Sequence, residues 1–196
     1  MIIGKLVKLR AVEREDLSLI ISWRNDPEVY RNYIEYEPLS MAKQEHWFES
    51  ILRHPTEKNL IIATLDGQAV GTVGLGNIDE RSRVGEVIRF IMGNERYRLL
   101  GHAAEALYLI LSYGFNHLNL HKIYGTDLST NPKMISMHKQ FGFVQEAVLR
   151  EHVFHEGKHV DVMIMGLLRT EFQKSSPSIE KILEELARRC QNPVSS

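Results

Sequence analysis

The sequence predicts a mixed α/β domain, and three observations carry that reading. Apolar runs of strand length recur along the chain, segments with apolar residues three and four apart stand between them, and the middle is rich in hairpin signals. The 196 residues are 43% hydrophobic and 25% charged, as in ordinary globular proteins. With 24 Lys and Arg against 25 Asp and Glu, the formal net charge of −1 makes no electrostatic case for nucleic acid. The lone Cys190 cannot close an internal disulfide and fits a reducing compartment. No run reaches the ~20 apolar residues of a membrane span. A charge follows Met1-Ile2-Ile3-Gly4 at Lys5, too soon for a signal peptide. The expectation is a cytoplasmic protein with no membrane or nucleic-acid partner.

Leu6, Val7 and Leu9 predict an opening strand, and Leu17, Ile20, Ile21 and Arg24 a helix. Asp26-Pro27 stops that helix, because proline lacks the donor and restricts the residue before it. Ser40 caps a second helix whose apolar face is Trp47, Ile51 and Leu52. Strands follow at 60–65 and 69–75 around an Asp66-Gly67 turn, and again at 85–92. Ala103, Leu107, Ile110 and Leu111 mark a helix that Gly114 and Asn116 weaken. A strand at 123–128, a helix at 132–141 and two strands turning at Glu156-Gly157 complete the domain. Ser176-Pro177 starts a separate helix with Ile179, Ile182, Leu183 and Leu186 on one face. The expected organisation is a domain over 1–172 and a helical extension over 173–196, docking on the domain or on a second copy.

Arg98-Leu99-Leu100-Gly101-His102-Ala103 lies between a strand and a helix. A glycine-containing turn at a helix N-terminus leaves backbone N–H groups free to cradle a phosphate, and Arg98 adds charge-assisted hydrogen bonds. The stretch resembles the pyrophosphate loop of the GNAT superfamily of acyl-CoA N-acyltransferases, (Gln/Arg)-x-x-Gly-x-(Gly/Ala), with Arg98, Gly101 and Ala103 at its three defined positions. Asn131, His138 and Gly142-Phe143 resemble the family's second pattern, except that His138 stands where the family has Tyr. Glu105-Ala106-Leu107, Tyr113-Gly114-Phe115 and Leu120-His121-Lys122-Ile123 are similar to the branch containing ribosomal-protein and spermidine acetyltransferases. The resemblance covers roughly residues 5–170. It implies a mostly antiparallel central sheet, flanked by helices and splayed between the family's fourth and fifth strands, with acetyl-CoA as co-substrate. By the same resemblance Ile91, Met92 and Gly93 line the pantetheine arm, Arg98, Leu99, Leu100, Gly101, His102 and Ala103 hold the pyrophosphate, and Asn131 contacts the cofactor. A homodimer is also implied.

Acetyl transfer needs a neutral amine, and a free alkylamine has a pKa of about 10.4, so a base or a desolvating pocket must help. Glu86, on the strand that borders the acceptor, is the candidate base through one water; an outward residue or ion-pair partner is the alternative. A strand N–H near Ile91 or Met92 would meet the oxyanion. His138 is the candidate acid for the departing thiolate, an imidazolium taking the place of a phenol; the alternative is a histidine on the helix surface or one that merely adjoins the cofactor. His152, His155 and His159 straddle a hairpin with no cysteine nearby, and strand alternation separates them, so no metal is expected.

Trp23-Arg24-Asn25-Asp26-Pro27, followed by Ser40, His46 and Trp47, resembles nucleotide-aminosugar N-acetyltransferases of pseudaminic-acid-type pathways. That implies Trp23, Arg24, Asn25, His46 and Trp47 as contacts of a small-molecule amine, an aromatic and an Arg suiting a base and a diphosphate. Core positions for both tryptophans are the alternative. The second half is also similar to spermidine acetyltransferases, for which Glu35, Glu37, Asp79 and Glu80 would supply carboxylates. A protein N-terminus is a further acceptor; the expectation is the nucleotide-linked amino sugar, with the polyamine and the peptide amine as alternatives. A module that binds acyl-CoA without turnover is the reading of another class, favoured by the missing Tyr, unless Tyr30, Tyr33 or Tyr36 replaces it.

Overall fold

Eight strands form one sheet in the order β1-β2-β3-β4-β5-β6-β8-β7, antiparallel at every junction except β5–β6. The computed structural model describes residues 1–34, 37–53, 56–98 and 101–191, without the side chains of Glu95, Arg98 and Gln191. The strands are β1 (Ile2–Ile3), β2 (Val7–Ala11), β3 (Lys58–Thr64), β4 (Ala69–Asp79), β5 (Val84–Met92), β6 (Lys122–Leu128), β7 (Val144–His155) and β8 (Lys158–Leu168). Because the short β1 comes first, the family's fourth and fifth strands are β5 and β6.

On one face lie α1 (Leu17–Arg24), α2 (Pro27–Tyr30) and α3 (Met41–Ile51), packing Leu17, Ile20, Trp23, Val29 and Phe48 on Ile61, Ala63 and Ile91. Asp26 accepts from the Glu28 N–H with Pro27 at the first helical position, so the proline that ends α1 also starts α2. Ser40 caps α3 by accepting from the Lys43 N–H. The predicted apolar face of α3 is shifted: Gln44 and Phe48 are buried, whereas Leu52 is 65% exposed.

The opposite face carries α5 (His102–Ser112) behind the short α4 (Glu95–Arg98), then α6 (Pro132–Gln140) and α7 (Arg169–Gln191). Gly114 and Asn116 do not end α5; it runs on through a π-helical turn, Tyr113–His117. The last helix begins at Arg169, not at Ser176, and Pro177 lies inside it. Arg169 anchors its start on the Leu120 carbonyl and Asn119. Ile179, Leu183 and Ala187 enter the main core, and the Phe172 ring stacks on Phe115 at 5.0 Å. Of the two expected docking partners for this face, the domain and a second copy, the structure shows the domain, with Ile182 left outside the contact, 56% exposed. Cover from both sides explains why α5 buries eight of its eleven residues. Glu105 in α5 accepts backbone N–H bonds from Lys5 at 2.8 Å, Leu6 at 2.6 Å and Val7 at 2.7 Å, tying the start of the chain to the helix.

Candidate active site

The sheet opens between β5 and β6. These strands share only three rungs, Val84↔Lys122, Gly85↔Ile123 and Glu86↔Tyr124, and then separate. A bulge on β5 sets Arg89 and Phe90 opposite the single residue Val73, with Arg89 at φ 51° and its carbonyl accepting from Thr72 Oγ1 at 2.7 Å. Bulges bend and twist the strand that carries them, which turns the far half of β5 away from β6. Backbone groups along Val87–Met92 and Gly125–Leu128 thus face a wedge, an edge that an extended amide chain can pair with.

Beyond β5 the chain reaches the predicted phosphate loop. Gly101 is the N-cap of α5 in the left-handed region, φ 81°, and a Cβ there would meet Leu186 of α7 at 2.9 Å. The helix thereby presents its first N–H groups to an anion. His102 and Ala103 are buried in its first turn, with the Tyr97 ring edge-on to His102 at 4.9 Å. Leu99, Leu100 and the Arg98 side chain lie outside the described residues. Asn131 caps α6, accepting from the Met134 N–H at 3.2 Å. Ile91 and Met92 are buried, and the Trp23 indole covers Gly93, whose own N–H bonds to the Val70 carbonyl at 2.9 Å. The open strands and the left-handed glycine cap fit coenzyme A, which when bound supplies the activated acyl group.

Either side of the wedge carries a titratable cluster. On the α1–α3 side, Glu86 accepts from Asn77 Nδ2 at 2.7 Å and is hydrogen-bonded to the Tyr124 hydroxyl. Burial pushes the Tyr124 phenol up, and the neighbouring Glu86 charge adds to the effect. On the other side, His138 Nδ1 lies 2.7 Å from Asp127 Oδ2, the two side chains being 1% and 7% exposed. His138 is thus part of a buried pair and not a helix-surface residue.

Next to the bulge, a cavity of about 150 Å³ opens between α1, α3 and strands β3 to β5. Arg24, Lys43, Gln44, Trp47, Asn59 and Arg89 supply its polar lining, and among the described residues that line it none is acidic. The Arg24 guanidinium lies 4.5 Å from the Tyr33 ring centroid, and that of Arg89 lies 5.4 Å from Trp47. Arg89 is neutralised by Glu57 at 2.8 Å, and Lys43 by Glu37. The Trp47 Nε1 and Tyr33 hydroxyl are buried without partners among the described residues. Burial raises the Tyr33 pKa against the opposing pull of Arg24 and Arg89, so the phenol stays a donor.

Of the five residues predicted for the acceptor, Arg24 and Trp47 reach this cavity. Trp23 is a core residue, 7% exposed. Asn25 spends its amide on the Leu39 N–H and carbonyl, both at 2.9 Å, pinning the loop before α3. His46 is exposed outside the cavity. Of the carboxylates considered for a polyamine, Asp79 caps an exposed turn through Ser82 and Arg81, Glu37 pairs with Lys43, and Glu35 lies outside the described residues, as does the candidate phenol Tyr36. His155 is taken by the Arg31 carbonyl at 2.8 Å, and no metal-holding cluster occurs among the described residues. Sequence reasoning missed Asp127 and Arg89, for which a charge inside the apolar strands Lys122–Leu128 and Val84–Met92 was the available signal.

The sequence model described as Acetyltransferase (GNAT) domain matches residues 7–144. The spermidine N(1)-acetyltransferase of Vibrio cholerae is 29% identical over 168 residues, 86% of this chain and 96% of that protein. A crystal structure of the Vibrio cholerae spermidine N-acetyltransferase with CoA and spermine superposes with a TM-score of 0.81 at 29% identity, covering 87% of this chain and 99% of that one. A dodecameric structure of the Vibrio cholerae enzyme superposes at 0.75 and 28% identity, over 88% and 99%. The wedge between β5 and β6, the glycine-capped helix beside it and the match across most of the chain give one conclusion: the protein belongs to the GNAT family and is an acetyl-CoA-dependent N-acetyltransferase.

Proposed function

We propose that the enzyme acetylates a primary amine of a small molecule, with the acyl donor in the β5–β6 wedge and the acceptor on the α1–α3 side. The carrying observation is the position of the wedge: it begins at the Glu86 rung, and the Arg89 bulge and the cavity follow on the same side. In this reading Glu86 draws a proton from the amine through a water, its carboxylate oriented by Asn77 and Tyr124. The first turn of α5 holds the pyrophosphate, and Asn131 lies beside the cofactor.

The spermidine acetyltransferases among the relatives support a polyamine acceptor over the amino sugar favoured by the amino-terminal motif. A second reading keeps an acceptor that carries an anion, as a nucleotide-linked amino sugar does. It rests on the cavity: among the described residues Arg24 has no carboxylate partner, two buried donors are unpaired, and no acid lines the wall. Release of free thiol from acetyl-CoA, compared for spermidine, a nucleotide-linked 4-amino sugar and a peptide amine, decides between them. Turnover with spermidine alone eliminates the anion-bearing acceptor; turnover with the sugar alone eliminates the polyamine; release with none of them sinks the small-amine reading.

We also place the enzyme in the cytoplasm, the lone Cys190 being the support. Residues 1–172 are read as the catalytic unit and 173–196 as an extension that buttresses α5. A homodimer is supported by β7, an edge strand exposing Val144, Val148, Leu149 and Phe154. Light scattering that gives the monomer mass would remove it.

A further inference from the structure

We propose that Asp127 is a positioning residue of the active site: it fixes the His138 ring so that Nε2 serves the cofactor in the β5–β6 wedge. This rests on the acetyl-transfer reading and adds the residue that makes a histidine competent at this position. Asp127 and His138 are both buried, 2.7 Å apart, in a layer otherwise built from Ile123, Phe141 and Phe143. The Phe143 ring centroid lies 4.4 Å from that of His138, holding the imidazole in place. An ionised carboxylate only accepts, so the Nδ1 of the ring must carry the hydrogen it shares with Asp127. That leaves Nε2 as the working nitrogen.

Nε2 is buried and has no hydrogen-bond partner among the described residues. Leaving a buried polar atom without a partner is unfavourable, which packing alone does not explain. Its surroundings locate the missing partner. The ring lies against Gly125, the first β6 residue beyond the last rung shared with β5, where the wedge opens. A Cβ at residue 125 would come 2.5 Å from Cε1 and 3.0 Å from Nε2, so the glycine is what admits the ring to this edge. Glycine, aspartate and histidine from two elements thus converge on one arrangement.

The chemistry follows the logic of an acid–imidazole pair. In the doubly protonated ring the Asp127 charge offsets the imidazolium, and Nε2–H is a proton held for the departing thiolate. When it is given up, the Nε2–H bond breaks and an S–H bond forms. The ring returns to the neutral Nδ1–H tautomer, still donating to Asp127, and water restores the proton between turnovers.

The test uses the full-length enzyme and two conservative variants, Asp127→Asn and His138→Gln, read by turnover and by nitrogen NMR of the imidazole. In the parent, Nδ1 should carry the hydrogen and adding CoA should shift the Nε2 resonance. Asp127→Asn should change the tautomer signature and cut kcat roughly 10- to 100-fold, with KM for acetyl-CoA nearly unchanged; His138→Gln should lose about 100-fold or more. A lowered melting temperature with kcat and the CoA-dependent shift intact in Asp127→Asn would make the pair mere packing and overturn the proposal. If the parent releases no thiol with any amine, the acetyl-transfer reading fails, and the resonance still decides this one. A CoA-induced shift at Nε2 keeps Asp127 as the positioning residue, and its absence removes it.

Discussion

The two faces of the sheet are built on different terms. Behind β5 and β6, the side of α5, α6 and α7 is filled: α5 is buried on most of its circumference, and Glu105 satisfies three backbone donors. On the side of α1, α2 and α3 the core is smaller, a cavity of about 150 Å³ remains, and among the described residues Trp47 Nε1 and the Tyr33 hydroxyl have no partners. The filled side carries the left-handed glycine cap of α5 and borders the strand edge of the wedge. In the proposed reading the open side faces the amine to be acetylated, so the packed side meets the ligand that is constant and the open space meets the one that must be chosen.

This contrast makes graded predictions. The largest effect belongs to the filled side: Phe115→Ala, in a fully buried ring stacked on Phe172, should cost about 3–5 kcal/mol in urea unfolding. An equal loss from Phe48→Ala, on the open side, would break the comparison. Next, Glu105→Gln exchanges part of a three-way acceptor for a donor and should cost about 1–3 kcal/mol while leaving the acceptor KM unchanged. Arg24→Gln should do the reverse. Stability should stay close to that of the parent, while KM for an anion-bearing amine rises about tenfold, or ~1.4 kcal/mol. With spermidine as acceptor the same substitution should leave KM unchanged or lower it, since a cation is removed from the cavity.

The smallest effect is a pH dependence at the base of α1. Burial pushes the Asp16 carboxyl up, but the bidentate Arg10 guanidinium and the Glu13 N–H more than reverse this, so its pKa is depressed. A depressed carboxyl stabilises the fold above its unfolded value of about 3.9 and loses that contribution as pH falls through the folded value. Arg10→Met should lower the melting temperature slightly at neutral pH, and the gap to the parent should close on acidification below about pH 4. A gap that widens there would contradict the assigned direction.

Legibility in the sequence divided along the same line. Ser40, Asp26-Pro27 and Asp66-Gly67 placed a helix start, a helix end and a turn correctly because capping and turn chemistry act within a few residues. Ser176-Pro177 misled for the same reason: it is a plausible local start, but Arg169 is already anchored on Leu120, and the helix runs through. Leu52 and Ile182 fit a helical period yet are exposed, since period says nothing about which neighbours arrive to cover a face.

The family was legible in the sequence alone, because Arg98, Gly101, Ala103 and Asn131 stand at the motif spacing that marks it. Only the tertiary structure decided that His138 is bound to Asp127, that Trp23 belongs to the core and that Arg24 and Arg89 share a cavity with Trp47. Each of these is a contact between elements distant in the chain or across the sheet. Such contacts depend on strand register, on the bulge at Arg89 and on the side from which a helix crosses, none of which local pattern encodes.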